Sequence, residues 1–336
     1  MLVGASVDHA TRLAFDRPRD DLRPMPGPPI LADGARAGTP RCVRGRPGYS
    51  GRARRPDSAL GGPVRRSKYR PEPRRSYARN MAIVGIIPAR FASTRLPGKP
   101  LLSDTGMPLI RHVVEAARRS TRLDRIIVAT DDARIADAVG SFGGEVALTR
   151  GDHPTGTDRV AEVIARMPDA DLVVNLQGDE PEVSGDALDL VVSLLESDLA
   201  APMATLATPI RDEAEFRDPS CVKVVRSRAG RALYFSRSPI PHHRDGPPDL
   251  RADPPIALLH LGLYAFRRDF LLGFAALPPS PLEAAEKLEQ LRVLEAGHPI
   301  ALGIVRERSV GIDTPEDYRR FVERWRAREG APGSGG

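Results

Sequence analysis

Residues 84–100 read Val-Gly-Ile-Ile-Pro-Ala-Arg-Phe-Ala-Ser-Thr-Arg-Leu-Pro-Gly-Lys-Pro, an apolar run followed by a cationic loop. The run from Ile83 to Ile87 is short, rich in β-branched residues and stopped by Pro88, which predicts a buried strand. Three cations stand in the loop among Gly and Pro residues: Arg90, Arg95 and Lys99. A chain of phosphates needs such an arrangement, because small residues bring backbone amides close while cationic side chains reach in from several directions.

The loop differs from the Gly-x-x-x-x-Gly-Lys-Ser/Thr phosphate loop, which requires a Gly before the turn and a hydroxyl after the Lys. A basic surface loop is the alternative interpretation. Three cations at the carboxyl end of a predicted parallel strand favour a ligand site, because ligands gather there in open α/β sheets.

Strand and helix patterns alternate through the next part of the chain. Helices are predicted at 108–119, 134–142 and 157–167, and strands at 126–129, 146–148 and 172–176. This rhythm predicts an α/β fold with a doubly wound, mostly parallel, Rossmann-like sheet and active groups at its carboxyl edge. Between about 203 and 267, four strand patterns follow without a long helix, which predicts an antiparallel excursion. Helices predicted at 281–296 and 315–328 complete the pattern.

Residues 1–80 differ from the rest of the chain in composition. They hold 18 Lys and Arg against 7 Asp and Glu, whereas residues 81–336 hold 32 against 37. The first segment also has 11 Pro and 9 Gly and no sustained apolar period, so we expect it to be disordered. We expect one domain over residues 81–330.

Three interpretations of residues 1–80 compete. Clustered arginines would suit a nucleic-acid-binding arm. A transit peptide would also be Arg-rich, but the acids and prolines argue against its amphipathic helix, and no apolar core near Met1 indicates a secretory signal. The interpretation that we favour is that translation starts at Met81.

Cys42 and Cys221 are the only cysteines, which suits a reducing cytoplasm. No apolar run approaches the roughly 20 residues of a membrane span.

Two carboxylates are candidates for a metal site. Asp179 follows an apolar strand and comes directly before Glu180 and Pro181. Beside a cationic phosphate loop, such a carboxylate most simply holds Mg²⁺, which binds phosphates through one or two carboxylates and keeps its waters. Asp313 stands at the start of a predicted helix, where it could instead cap the helix, although Thr314 is the better cap.

A second polar loop, residues 150–159, runs into the helix predicted at 157. Its hydroxyls, Gly and Arg suit recognition of a base or ribose, and Thr157 or Asp158 could cap the helix. Asp152 and His153 suggest acid–base chemistry at first sight. No Ser or Cys nucleophile pairs with them, so a turn with a hydrogen-bonded His is favoured.

Arg237 follows a predicted strand, and Arg244 stands on the next loop. One interpretation of Arg237 is a specific one, a bidentate contact to a substrate carboxylate. The alternative is a side chain that faces solvent. The spacing of the nearby histidines matches no zinc pattern. On the helix predicted at 281–296, most of the polar residues are expected to form a solvated face: Glu286, Glu289, Gln290 and Arg292.

Taken in order, these motifs resemble the 3-deoxy-manno-octulosonate (Kdo) cytidylyltransferase family, also called CMP-Kdo synthetases. The resemblance rests on residues 87–90, 96–100, 130–131, 152–157, 177–181, 234–237, 260–262, 288–292 and 311–317. It covers about residues 81–328 and does not reach residues 1–80. The related CMP-sialate synthetases typically carry Lys-Asn where this chain has Lys99 and Pro100.

The resemblance implies an enzyme that converts CTP and Kdo into CMP-Kdo and pyrophosphate for lipopolysaccharide inner-core assembly, with Mg²⁺, in the cytoplasm. It implies a homodimer built through the antiparallel region. Catalytic roles are implied for Arg90, Arg95, Lys99, Asp179 and Asp313, the last two as metal ligands. Nucleotide contacts are implied for Pro88, Ala89, Arg90, Arg95, Lys99, Thr130, Thr155, Gly156, Arg159 and Gln177. Kdo contacts are implied for Arg237, Arg244, His260, Glu289 and Gln290.

One departure from the family pattern lies on the sugar side. His242 and His243 stand where relatives often have Trp-Asp.

Two other functional classes stay open. A nucleic-acid-binding module is disfavoured by the net negative charge of residues 81–336 and by the shortage of aromatics for base stacking. A pseudoenzyme that serves as a structural partner would not need both Asp179 and Asp313.

Overall fold

The predicted first strand lies inside the sheet. The computed structural model describes residues 81–92, 95–274 and 277–329, and the tail predicted at 1–80 lies outside them. Strand β1 (Ile83–Ala89) pairs in parallel with β2 (Arg125–Thr130) on one side and with β4 (Leu172–Asn175) on the other. It runs through Pro88 rather than stopping there, with Pro88 in register with Ala129.

The sheet is mostly parallel, as predicted. Its remaining strands are β3 (Glu145–Leu148), β5 (Met203–Pro209), β6 (Lys223–Arg226), β7 (Ala232–Ser236), β8 (Leu258–Arg267) and β9 (Ile300–Ile304). The main order is β3-β2-β1-β4-β8-β5-β9. Along that path only β8 is antiparallel to its neighbours, so the ends of β1, β2 and β4 share one carboxyl edge.

Helices cover both faces of this sheet. They are α1 (Leu109–Ala117), α2 (Ala133–Ser141), α3 (Gly156–Ala165), α4 (Gly185–Ser197), α5 (Glu213–Arg217), α6 (Arg268–Phe274), α7 (Pro281–Glu286), α8 (Gln290–Glu295) and α9 (Pro315–Glu329). One apolar core packs α1, α2 and α4 against the sheet, and a second packs α3, α6 and α8 against the other face. This is the doubly wound arrangement. None of the described helices combines the length and apolarity that a membrane span requires.

The antiparallel excursion is smaller than the range 203–267. Only β6 and β7 leave the main path, whereas β5 and β8 are strands of the main sheet. Strand β8 pairs with β4 and β5, and β9 joins the far side of β5. The predicted extent was too wide because pairing between strands distant in sequence leaves no trace in a local pattern.

Two further differences concern helices. The sequence patterns did not predict α4, whose buried residues, Leu188, Val191, Val192 and Leu195, lie in the first core. The single helix predicted at 281–296 is two helices, because Lys287 adopts a left-handed conformation with φ of 56° and ends α7. The other predicted elements agree with the observed ones within two residues.

Candidate active site

The carboxyl edge of β1, β2 and β4 gathers the predicted nucleotide-side residues. Close packing at this edge requires a glycine, because a Cβ on Gly178 would lie 2.8 Å from the carbonyl oxygen of Pro88. The loop after β4 therefore runs against the end of β1 and carries Gln177 and Asp179 beside it. Gly98, at φ of 67°, starts the single 3₁₀ turn of Lys99–Leu101 that aims Lys99 into the site.

Lys99 joins the two carboxylates predicted as metal ligands. Its Nζ donates to Asp179 Oδ2 at 2.8 Å, to Asp313 Oδ1 at 3.4 Å and to the carbonyl of Ile312 at 2.7 Å. The side chain is only 14% exposed, so these contacts are partly shielded from solvent. Arg95 is exposed and also pairs with Asp313 Oδ1, at 3.2 Å.

The start of α9 leaves the Asp313 carboxylate available for these contacts. Thr314 Oγ1 accepts the backbone N–H of Asp317, while Asp317 Oδ2 accepts the N–H groups of Thr314 and Asp313. Thr314 therefore caps α9, as predicted, and Asp313 does not need to. Asp317 has a lowered pKa, mainly because of its bond from Thr314.

The pair of Asp179 and Asp313 is a chemically suitable donor set for Mg²⁺. Within the described residues, no group of three or more His, Cys, Asp or Glu side chains is arranged to hold a metal. Mg²⁺ commonly uses one or two carboxylates and completes its ligand set with substrate phosphates and water. Two carboxylates that share one ammonium group, beside a cationic loop, match that requirement.

Glu180 follows Asp179 in the loop after β4. Burial raises its pKa to about 7, and the nearby Asp179 charge acts in the same direction. A hydrogen bond from Ser309 Oγ to Glu180 Oε2, at 2.7 Å, opposes this rise. The same segment also donates the N–H of Ile312 to the carbonyl of Asp179 at 2.9 Å. Two bonds thus join the loop after β4 to the segment before α9.

Arg90 is held by the second polar loop. Its Nη2 donates to the carbonyls of His153 and Thr155, at 2.5 and 3.1 Å. Thr155 is the N-cap of α3 in a capping box with Asp158. The prediction that Thr157 or Asp158 is the N-cap was therefore wrong, although Asp158 takes part in the capping box as its third helical residue. Gly156 starts the helix, and a Cβ there would lie 3.3 Å from the Pro88 ring. The first turn of α3 thus lies against the end of β1.

His153 is buried and bonded to Glu162, which confirms the expectation of a hydrogen-bonded His. The His ring lies toward α3, which carries Glu162. Burial acts to raise the pKa of Glu162, but the bonds from His153 and from the Arg150 backbone, with the Arg166 charge, leave it lowered.

Arg159 and Thr130 are buried beneath the loop. The Arg159 side chain is 0% exposed, and its Nη1 contacts Thr149 Oγ1 at 2.6 Å and Asp131 Oδ1 at 2.8 Å. Its Nε and Nη2 are buried without a partner among the described residues. Thr130 Oγ1 accepts the N–H of Asp132 at 3.2 Å. Roles for both in binding cytidine stay predictions.

Two predicted residues, Gln177 of the nucleotide set and His260 of the Kdo set, make contacts at β8. Gln177 Nε2 donates to the carbonyl of Gly262 at 2.9 Å. His260 Nε2 lies 3.0 Å from Thr205 Oγ1, and burial lowers its pKa from 6.5 to about 3. His260 is therefore neutral at pH 7 and can offer one donor and one acceptor.

Arg237 lies at the end of β7 and is held by its neighbours. Its Nε donates to the carbonyl of Glu286 at 2.8 Å and its Nη1 to the carbonyl of Pro219 at 3.0 Å. The Glu286 carboxylate accepts the backbone N–H of Arg237 and the hydroxyl of Ser236. Arg244 lies exposed in a turn and makes no hydrogen bond to the residues that the structure describes.

The expected solvated face on residues 281–296 is wrong. Gln290 is 2% exposed, and Glu289 Oε1 accepts the hydroxyl of Thr157 at 2.6 Å. Burial raises the pKa of Glu289. Because the helix breaks at Lys287, the polar residues on either side no longer share one face. Glu286 turns to β7, while Glu289 turns to the start of α3.

Several residues of this region were missed by the sequence analysis. Asn175 Nδ2 donates to Thr157 Oγ1 at 3.3 Å, next to Glu289. A polar residue at the carboxyl end of an apolar strand could have indicated it. The Glu180–Ser309 pair had no such signal, because its two residues lie 129 positions apart in sequence. Lys223 had none either, because a lysine at the start of a strand does not by itself indicate a buried ammonium group.

Relatives match this chain over the region that holds the site. A family model described as Cytidylyltransferase matches residues 84–304. A 3-deoxy-manno-octulosonate cytidylyltransferase of Syntrophotalea carbinolica is 53% identical over 243 residues, which are 71% of this chain and 97% of that protein. The corresponding protein of Rhodopirellula baltica is 48% identical over 71% of this chain and 96% of its own length. The chain belongs to the 3-deoxy-manno-octulosonate cytidylyltransferase family.

Solved structures agree with this family membership. A CMP:2-keto-3-deoxy-manno-octonic acid synthetase complexed with CTP is 44% identical, with a TM-score of 0.69 over 74% of this chain and 99% of that one. The fold alone is shared with 4-diphosphocytidyl-2C-methyl-D-erythritol synthase of Anaerococcus prevotii, at 16% identity and a TM-score of 0.50 over 74% of this chain and 100% of that one. As a member of the 3-deoxy-manno-octulosonate cytidylyltransferase family, this chain is a nucleotidyltransferase.

Proposed function

We propose that this chain transfers CMP from CTP to the anomeric hydroxyl of Kdo, giving CMP-Kdo and pyrophosphate. The observation that carries the proposal is the contact of Lys99 Nζ with both Asp179 and Asp313, at the sheet edge where nucleotides bind. The identity of up to 53% to 3-deoxy-manno-octulosonate cytidylyltransferases supports the choice of sugar acid. In this proposal the product serves lipopolysaccharide inner-core assembly in the cytoplasm.

The reaction needs positioning and charge neutralisation more than covalent help. The anomeric hydroxyl attacks the α-phosphorus in line, and pyrophosphate leaves. Arg90, Arg95 and Lys99 hold the triphosphate and stabilise the charge of the leaving group. When CTP enters, its phosphates take up the donors of Lys99 and Arg95 that now point to carboxylates.

Asp179 and Asp313 hold Mg²⁺ in this proposal. Bound Mg²⁺ would offset charge at the phosphates and favour ionisation of the attacking hydroxyl. The Ile312 bond to Asp179 and the cap at Thr314 fix the backbone on which the two carboxylates stand. The protein's own contribution is therefore to keep both oxygen ligands oriented before the nucleotide arrives.

The nucleoside lies, in this proposal, along the ends of β1, β2 and β4. The residues assigned to it are Pro88, Ala89, Thr130, Thr155, Gly156, Arg159 and Gln177. Support comes from Arg159, whose two buried nitrogens without a described partner, Nε and Nη2, provide unmet hydrogen-bonding capacity next to the loop.

The sugar acid lies beside β7 and β8. Arg237, together with Arg244 on the following loop, binds its carboxylate through charge-assisted hydrogen bonds. His260, Glu289 and Gln290 bond its hydroxyls, and the neutral state of His260 suits a hydroxyl partner.

A homodimer completes the proposal. The excursion of β6 and β7 presents Leu233, a large apolar side chain that is 60% exposed on β7. Covering it with a second copy would remove apolar surface from water. Sedimentation of the purified protein tests this part by itself.

One assay tests the reaction against its rivals. Pyrophosphate release is measured with CTP and Mg²⁺ in the presence of Kdo, its amino-substituted analogue, or sialic acid. We expect release with Kdo and little with sialic acid. Release only with the amino analogue would move the proposal to that sugar. No release with any acid, together with retention on RNA or DNA, would favour the nucleic-acid-binding alternative.

A further inference from the structure

Lys223 is a fully buried cation for which the proposed reaction has no use. Its side chain, at the start of β6, is 0% exposed. Its Nζ donates to the carbonyls of Asp218 at 2.8 Å, Cys221 at 2.5 Å and Arg237 at 2.6 Å. Since an ammonium has three N–H donors, all of them are used. Among the described residues, no carboxylate forms an ion pair with it, and burial lowers its pKa.

Burying a charged ammonium group costs free energy unless its hydrogen bonds compensate for the lost solvation. An apolar side chain of the same length would pack in the same space, but it would leave three carbonyls without a donor. Two of these carbonyls, those of Asp218 and Cys221, lie on either side of Pro219 in one turn. The third belongs to Arg237 itself.

The same turn holds the tip of Arg237. The Pro219 carbonyl accepts Arg237 Nη1 at 3.0 Å, and the Glu286 carbonyl accepts its Nε at 2.8 Å. Arg237 Nη2 has no hydrogen-bond partner among the described residues and is the nitrogen left to meet a ligand. Lys223 thus holds Arg237 in two ways. It binds the Arg237 backbone carbonyl directly, and it binds the turn whose Pro219 carbonyl accepts the Arg237 guanidinium.

We propose that Lys223 is a positioning residue for recognition of the sugar-acid carboxylate, because it fixes the backbone and the guanidinium of Arg237 together. This inference rests on the proposed role of Arg237. Glu286 also fixes the backbone of Arg237, since its carboxylate accepts the Arg237 N–H at 2.9 Å and the Ser236 hydroxyl at 2.6 Å. A long side chain with many rotamers is thereby ordered before the substrate binds.

The test compares a buried cation with a half-buried one, both of which donate to backbone carbonyls. Lys223→Met keeps the side-chain length and removes the charge. Arg267→Met is the matched control, because Arg267 donates to the carbonyls of Leu195 and Ala201 at the opposite edge of the sheet. We expect Lys223→Met to raise the KM for Kdo by about tenfold, as misplacing a binding group does, with the KM for CTP within about twofold. Arg267→Met should lower the Tm and leave both KM values unchanged.

A double-mutant cycle separates positioning from general damage. If Lys223 acts through Arg237, then Lys223→Met added to Arg237→Ala raises the KM for Kdo no further. Independent effects of the two substitutions would overturn the inference, as would equal loss toward CTP and Kdo. If Lys223→Met folds poorly, Lys223→Gln replaces it in the double-mutant cycle, because Gln retains two N–H donors.

The proposed function and this inference fail in different ways. A raised KM in Arg237→Ala with an unchanged KM in Lys223→Met overturns the inference alone. An unchanged KM for Kdo in Arg237→Ala removes Arg237 from the sugar site and overturns both. Absence of CMP transfer in the wild-type protein overturns the proposed reaction itself.

Discussion

The backbone N–H of Ile312 donates to the carbonyl of Asp179 at 2.9 Å. This bond joins the loop after β4 to the segment before α9 and brings Asp179 and Asp313 to the same ammonium group. The Ile312 side chain is 0% exposed and packs in one small core with Leu96 of the cationic loop and Phe321 of α9. Helix α9 therefore anchors the part of the cationic loop between Arg95 and Lys99 together with the two carboxylates.

Replacing Asp179 with Asn should abolish turnover while the fold is kept. The substitution removes one of two carboxylates from the proposed metal site, and loss of such a ligand should cost several kcal/mol of transition-state stabilisation. Steady-state pyrophosphate release and circular dichroism measure the two effects. Asp169→Asn, in an exposed turn, is the control and should retain full activity. Near-normal activity of Asp179→Asn at saturating Mg²⁺ would remove Asp179 from the site.

Arg237→Lys should weaken use of Kdo far more than use of CTP. Lys keeps the charge but loses the planar fork that matches a carboxylate, so the exchange is not conservative at such a site. The KM for each substrate, measured at saturation of the other, shows the difference. If the KM for Kdo does not change, Arg237 is a surface residue.

His260 should make the folded state sensitive to mild acid. Its folded pKa, lowered to about 3 by burial, lies below the ordinary 6.5, so the unfolded chain binds the extra proton between these values. Stability is then fully present above about pH 6.5 and declines as the pH falls toward 3. Thermal melts across this range should show a shallower decline for His260→Asn than for the wild type. Exposed His242 provides the control, His242→Asn, and identical slopes in all three would refute the assignment.

Lys287 should tolerate glycine better than a β-branched residue. It is the non-glycine residue with positive φ in the described part of the chain, at the break between α7 and α8. Lys287→Val should lower the free energy of unfolding by roughly 1–2 kcal/mol, because a β-branched side chain is disfavoured at positive φ more strongly than the unbranched side chain of Lys. Lys287→Gly should be close to wild type. Urea titrations give the free energy of unfolding of each variant. Equal values for Lys287→Val and Lys287→Gly would contradict the proposal that the backbone at this position is strained.

Removal of residues 1–80 should leave activity and Tm essentially unchanged. The segment has no periodic apolar face to add to a core, and none of its residues matches the family motifs. A chain that starts at Met81 can be compared directly with the full chain in both measurements. Weaker retention on RNA or DNA after truncation would support the basic-arm interpretation, whereas a Tm lower by several degrees would show that the segment docks on the domain.

The parallel part of the sheet could be predicted because its signals are local. The apolar run before Pro88 and the polar residues at the ends of the strands each lie within a few residues of the element they mark. The same holds for Thr314, which caps α9 through contacts three residues apart. The cations of the loop and the two Asp residues could be identified as a site because their chemistry is visible in the residue types alone.

The sequence by itself determined the fold class, the family motifs and the candidate cations and carboxylates. Only the tertiary structure decided that Lys99 bridges Asp179 and Asp313, that β5 and β8 belong to the main sheet, and that Glu286 and Glu289 diverge at Lys287. It also placed Lys223 beneath Arg237. The physical reason is that these features depend on hydrogen bonds and strand pairing between distant segments, and neither residue type nor local periodicity encodes which distant segments meet.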